Sequence, residues 1–141
     1  MLGVDTNVFI NIIKPDDPAK QKAGSASFFK FVKNKKIPIA ISAITVAEIF
    51  SRPFKHKSKD EIQTVDEFLH YVDASIVSIN RNAAVEAARL IGEFNMDFAD
   101  ALIAASLIFA GVKTFVTRNV ADYKETDLEV LTPEDFMKKR I

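Results

Sequence analysis

The chain has 141 residues, 48% of them hydrophobic and 27% charged, with 19 basic and 19 acidic side chains and no cysteine. That length closes one core, so a single domain over residues 1–141 is expected; the absence of cysteine excludes disulfides and thiolate metal sites. A formal net charge of zero excludes a domain that holds nucleic acid by bulk electrostatics over its whole surface.

The opening run Met1–Val4 reads as a short buried strand, and Asp5 stands where it ends and Val8-Phe9-Ile10 begins a helix. A carboxylate at such a junction is costly to bury alone, so it holds a ligand, meets a partner or caps the helix. Thr6 and Asn7 can orient it by hydrogen bonds. A helix over Ala19–Val32 carries Phe28, Phe29 and Val32 at helical spacing, and ends in the basic run Lys33–Lys36.

A strand over Ile37–Ile44 leads into a short helix, Thr45–Phe50, which Pro53 is expected to stop. Glu48 sits there among apolar neighbours, on the face of Ile44 and Thr45, which sets it apart from an ordinary surface acid. The lysine-rich run Lys55–Lys59 follows. Residues Lys59–Tyr71 place Ile62, Val65, Phe68, Leu69 and Val72 on one helical face, and Ala74–Ile79 reads as a strand.

Asn80 is the expected cap of a helix over Arg81–Phe94, and Asp97 that of a helix running to Ala110, with Gly111 as its stop. The second helix is apolar almost all round and should be largely buried. Asp100 falls in its first turn, where the helix dipole is expected to favour the ionised form by about 0.3–1 kcal/mol. The strand Thr114–Thr117 runs into Arg118-Asn119-Val120-Ala121-Asp122-Tyr123, and Glu129–Leu131 is the last strand.

Strands alternating with helices imply a mainly parallel sheet covered on both faces, with ligands bound beyond the carboxyl ends of its strands. Asp5, Glu48, Asp100 and Asp122 all lie at junctions that can reach that edge. Four converging carboxylates repel, and a hard divalent cation held by oxygen donors is the simplest relief. Asp122 can complete the acidic set, while Asn119 or Thr117 can position water or metal.

The segments Asp5-Thr6-Asn7, Ser42–Glu48, Asp100–Ala105 and Val116–Asn119 occur in an order and spacing that resemble the PIN-domain ribonucleases. Within them the resemblance is to the VapC-like toxins of type II toxin–antitoxin pairs, and it covers nearly the whole chain. It implies a three-layer α/β fold and metal-assisted hydrolysis of RNA phosphodiesters with Mg²⁺ or Mn²⁺. Asp5, Glu48 and Asp100 would be the core metal-site acids, and the fourth place would fall to Asn119 or Asp122. It also implies a homodimer and a small antitoxin partner. A non-catalytic RNA-binding or protein-interaction module and a stand-alone RNA-processing nuclease are the alternatives. Basic side chains such as Arg118, or those around Lys55, would meet the RNA backbone. The twelve phenylalanines either pack the core or line a dimer or antitoxin groove. No apolar run reaches the roughly 18 residues that span a bilayer, and no cleavable leader is evident, so a cytoplasmic protein away from the membrane is expected.

Overall fold

The computed structural model describes residues 1–14 and 18–140. Five short strands form one parallel sheet: β1 (Leu2–Val4), β2 (Ile39–Ser42), β3 (Ser75–Val77), β4 (Thr114–Val116) and β5 (Glu129–Leu131). Their order is β3-β2-β1-β4-β5. The chain builds outward from β1 to β3, then crosses back to set β4 on the other flank of β1. That reversal opens a crevice beyond the carboxyl end of β1, the place where parallel α/β sheets bind ligands.

Among the described residues seven α-helices accompany the sheet: α1 (Thr6–Ile13), α2 (Ala19–Asn34), α3 (Ala43–Lys55), α4 (Lys59–Val72), α5 (Arg81–Phe94), α6 (Phe98–Phe109) and α7 (Pro133–Arg140). A 3₁₀ turn, Val120–Tyr123, follows β4. Side chains alternate across the strands, so the core falls into two apolar layers. Leu2, Val4, Ile39, Ile41 and Val116 join α1, α2, α3, α4 and α7 on one face. Ala40 and Phe115 join α5 and α6 on the other.

On the second face small residues bring α6 close to the sheet. Gly3 is the tightest point, because a methyl group there would lie 3.0 Å from Val112 Cγ1 and 3.1 Å from both Leu107 Cδ1 and Phe115 Cδ1. Gly3→Ala is expected to cost about 1–3 kcal/mol by overpacking. Urea unfolding checks this: the midpoint should fall at an unchanged m-value.

The helix starts follow local chemistry. Ser42, Ser58, Asn80 and Asp97 each accept a backbone N–H from the first turn they precede, which satisfies an otherwise orphaned donor. Expected Asn80 and Asp97 caps are therefore present. Two expectations are corrected. The strand predicted over Ile37–Ile44 is only Ile39–Ser42, because the Ser42 cap turns the following residues into α3. Pro53 does not stop that helix, which runs on to Lys55. A proline interior to a helix costs about 3 kcal/mol, but Pro53 stands in the last turn and is buried with Ile49 beside α1 and α4, which offsets the missing bond.

Helix α7 was not foreseen, although Thr132-Pro133-Glu134-Asp135 carries a start signal: the Thr132 hydroxyl accepts from the Asp135 N–H at 3.1 Å and proline opens the helix. Its single buried ring, Phe136, joins an aromatic cluster with Phe28, Phe29, Phe9 and Phe68, at centroid separations of 4.9–6.0 Å. Core packing thus accounts for much of the phenylalanine content, while Phe54, Phe94, Phe98 and Phe109 remain exposed.

Candidate metal centre

Asp5 leaves β1 at the crevice and is only 4% exposed. Its backbone N–H donates to the Val116 carbonyl at 2.9 Å, which fixes it between β1 and β4. The carboxylate is held from three sides. Oδ1 accepts the Thr6 N–H at 2.8 Å, and Oδ2 accepts the Thr117 hydroxyl at 2.7 Å and the Asn7 amide at 3.3 Å. Asp5 is therefore a helix cap and a buried charge at once. Its carboxyl is pushed up to about 6: desolvation is the main cause, hydrogen bonds from Thr117 and Thr6 oppose it, and the Asp100 charge adds to the rise.

Asp100 lies in the first turn of α6, half-buried, and its Oδ1 accepts the Tyr123 hydroxyl at 3.0 Å. Burial raises its pKa, the Tyr123 hydrogen bond opposes that, and the charges of Asp97, Asp122 and Glu48 add to the rise. The helix dipole was expected to favour ionisation here. Burial and like-charge repulsion outweigh it, because a dipole effect of at most about 1 kcal/mol competes with several nearby anions. Every charged group that acts on Asp5 or Asp100 in this way is itself an acid.

Glu48, on α3, is exposed, and its Oε1 accepts the Thr6 hydroxyl at 2.6 Å. The same hydroxyl lies 3.0 Å from that of Thr45, so Thr6 links the start of α1 to α3. Asp122 is exposed on the 3₁₀ turn and lines a cleft of about 390 Å³ together with Asp97, Asp100, Phe94, Met96 and Lys124. Asn119 is also exposed, and its backbone N–H donates to the Thr117 hydroxyl at 3.0 Å. Asp97 keeps its expected role as the α6 cap, accepting the Asp100 N–H at 3.3 Å.

The donors facing this crevice are all oxygens, which suits Mg²⁺ or Mn²⁺ rather than a soft metal. Among the described residues, no three acidic or histidine side chains are gathered tightly enough to enclose a cation by themselves. An open site still fits Mg²⁺, which keeps several waters and commonly uses one or two carboxylates. Asp5 and Asp100, each raised by the charge of neighbouring acids, fit that description.

Arg118 is corrected as an RNA contact. Its guanidinium donates to Asn11 Oδ1 (2.9 Å), both Glu134 oxygens (2.6 Å), the Gln21 carbonyl (2.9 Å) and the Ser25 hydroxyl (2.8 Å). With a side chain only 12% exposed, it ties the end of β4 to α1, α2 and α7. The run around Lys55 is placed differently. Lys14, Ser51, Arg52, Lys55 and His56 line a cleft of about 510 Å³, and Arg52 is one helical turn beyond Glu48. Lys33, from the other basic run, is occupied at the far end of the sheet, donating to the Tyr71 carbonyl at 2.7 Å.

Tyr123 is the residue that sequence reasoning passed over. It was visible only as one of two tyrosines beside twelve phenylalanines, in a segment whose acid and amide drew the attention. Asn7 and Thr117 orient Asp5 by hydrogen bonds to its Oδ2.

A family model described as PIN domain matches residues 3–127. A toxin–antitoxin complex from Klebsiella pneumoniae is similar at 23% identity and TM-score 0.71, over 94% of this chain and 98% of that one. VapBC2 from Rickettsia felis, bound to a promoter DNA fragment, is similar at 24% identity and TM-score 0.73, over 92% and 96%. The sarcin–ricin loop-cleaving toxin VapC20 of Mycobacterium tuberculosis matches at 12% identity and TM-score 0.66, over 91% and 98%. No curated protein matches the chain in sequence. The parallel sheet, the crevice at the end of β1 and the family match across most of the chain agree: the protein belongs to the PIN domain family.

Proposed function

We propose that the protein is a metal-dependent endoribonuclease and the toxin of a toxin–antitoxin pair. The observation that carries this reading is the convergence of Asp5 and Asp100 at the switch point of a PIN-domain sheet, with Glu48 and Asp122 close enough to raise Asp100 by their charge. A scaffold has no use for assembled, mutually repelling carboxylates.

Asp5 and Asp100 would hold Mg²⁺ or Mn²⁺, with Glu48 and Asp122 joining directly or through water. Asp122 suits the fourth place better than Asn119, because it lines the Asp100 cleft and acts on that carboxyl electrostatically. When bound, the ion would supply an activated water and offset charge at the scissile phosphate. Thr6 aims Glu48, while Thr117 and Asn7 aim Asp5. The basic cleft of Lys14, Arg52, Lys55 and His56 would take the RNA backbone leading to the acids, so binding should weaken as salt rises.

The toxin reading is supported by the similar structures, two of which are toxin–antitoxin complexes and the third a sarcin–ricin loop-cleaving toxin. A cleft of about 430 Å³ between α1, α3 and α4, with Ile10, Ile13, Ile49 and Pro53 as its apolar lining and Lys14, Arg52, Asp60 and Glu61 as its charged one, suits an amphipathic segment of a small antitoxin. A homodimer and a cytoplasmic location complete the reading. No helix among the described residues is long and apolar enough to cross a membrane.

Purified protein and end-labelled single-stranded RNA test the nuclease. Cleavage should appear with Mn²⁺ or Mg²⁺, vanish with EDTA and return when metal is added in excess. Cleavage that survives chelation would overturn the metal-dependent reading. A short neighbouring reading frame whose product co-purifies with the protein and silences cleavage would support the toxin assignment. Lack of any such frame would favour a stand-alone RNA-processing nuclease.

A further inference from the structure

Tyr123 has no exposed surface and is the largest fully buried side chain among the described residues. Its ring packs edge-on against Phe115, with centroids 4.8 Å apart at 65°. Packing alone would be served by phenylalanine, which this chain uses twelve times against two tyrosines. A phenol hydroxyl in such a place is costly unless it finds a partner.

The partner is an acid of the crevice. The hydroxyl donates to Asp100 Oδ1 at 3.0 Å. Both carboxylates in turn act on the phenol. Asp5 is delivered by β1 and Asp100 by α6, elements that run separately to the crevice. The Asp5 carboxylate is held by Thr6, Thr117 and Asn7, so the gap between the two repelling acids depends on where the Asp100 side chain is held. A donor anchored in the core by its ring, with its single O–H on Asp100, sets that place.

We propose that Tyr123 is a positioning residue, whose phenol holds the Asp100 carboxylate at the separation from Asp5 that receives the divalent cation. This rests on the metal-dependent reading above, and concerns a residue outside the acidic set. Groups that orient metal ligands from behind typically contribute 10–100-fold in metal affinity or activity. Tyr123→Phe, which keeps the ring and removes only the hydroxyl, should therefore weaken Mn²⁺ binding by about 10–100-fold. It should lower kcat over a similar range and leave KM for RNA unchanged.

Mn²⁺ titrations read by the electron paramagnetic resonance of the free ion, on wild type, Tyr123→Phe and Phe115→Leu, decide the matter without any turnover. Phe115→Leu loosens the same ring contact but leaves the hydroxyl, so it should lose stability while keeping its Mn²⁺ affinity. Wild-type affinity in Tyr123→Phe would overturn the positioning role and leave the nuclease reading standing. Equal losses in Tyr123→Phe and Phe115→Leu would also overturn it, since packing would then account for the effect. Failure of the wild type itself to bind Mn²⁺ would remove the metal-dependent reading and this inference together.

Discussion

Replacing Asp5 with asparagine is expected to lower RNA cleavage by roughly 10²–10³-fold and, in the same molecule, to make the metal-free protein more stable at neutral pH. The first effect is the loss of several kcal/mol of metal-derived transition-state stabilisation, at 1.36 kcal/mol for each factor of ten. The second follows from burial. The Asp5 carboxyl rises from its ordinary 3.8 to about 6 on folding, chiefly by desolvation and further by the Asp100 charge. A carboxyl raised in this way binds its proton more tightly in the folded chain. Its ionisation then costs nothing below about pH 3.8, opposes folding progressively as the pH rises to about 6, and reaches a full cost of about 3 kcal/mol above that.

Asparagine carries no charge at any of these pH values. The stability gap between Asp5→Asn and wild type should therefore be small near pH 4 and widen, towards at most about 3 kcal/mol, by pH 8. Urea unfolding at several pH values with EDTA present measures it. Saturating Mn²⁺ should shrink or reverse the gap, because a ligand that binds only the folded wild type stabilises it. A gap that does not change with pH would mean that the Asp5 carboxylate is not the desolvated charge its burial indicates.

The largest stability effect is expected from Arg118→Ala, at about 2–4 kcal/mol. Removing the guanidinium strips Asn11, Ser25, the Gln21 carbonyl and Glu134 of their shared donor. Breaking a fully buried ion pair costs about 3–5 kcal/mol. The lower range applies here because the Glu134 side chain is 39% exposed and can rehydrate. Burial pushes the Glu134 carboxyl up, yet the Arg118 hydrogen bonds and charge hold it below the usual glutamate range, which is the electrostatic signature of the pair. Gly24→Ala is a second probe of the same knot. Its methyl would run into the Glu134 carboxylate and lie 3.1 Å from the Arg118 guanidinium. Chemical denaturation should show both losses at an unchanged m-value, whereas the salt dependence of RNA binding should not move. A changed salt slope in a folded Arg118 variant would return this residue to the RNA-facing surface.

Arg118 also shows where reading the residues alone fails. A cation two residues beyond a strand, in a polar loop, has the same local pattern whether it faces solvent or folds back. Its acceptors come from positions 11, 21, 25 and 134, and no local rule joins those segments. Pro53 failed for a related reason. Propensity predicts a break, but burial against neighbouring helices decides. The caps at Asn80 and Asp97 were legible because a cap is a contact over three residues, set by backbone geometry. Tyr123 was not, because its hydroxyl donates to a carboxylate delivered by α6, 23 positions away.

What the sequence by itself determined is the alternation of strands and helices, and hence the parallel sheet, together with the four acids Asp5, Glu48, Asp100 and Asp122 as candidates. These are short-range matters of periodicity and capping, in which each residue answers to neighbours a few positions away. Only the tertiary structure decided which strand lies beside which, and so that Asp5 emerges at the point where strand order reverses. It alone set the Tyr123 phenol against Asp100, raised the Asp5 and Asp100 carboxyls by burial and by the charges of nearby acids, and turned Arg118 inward. Desolvation and charge coupling depend on distances between residues far apart in the chain, and those distances exist only once the core has closed.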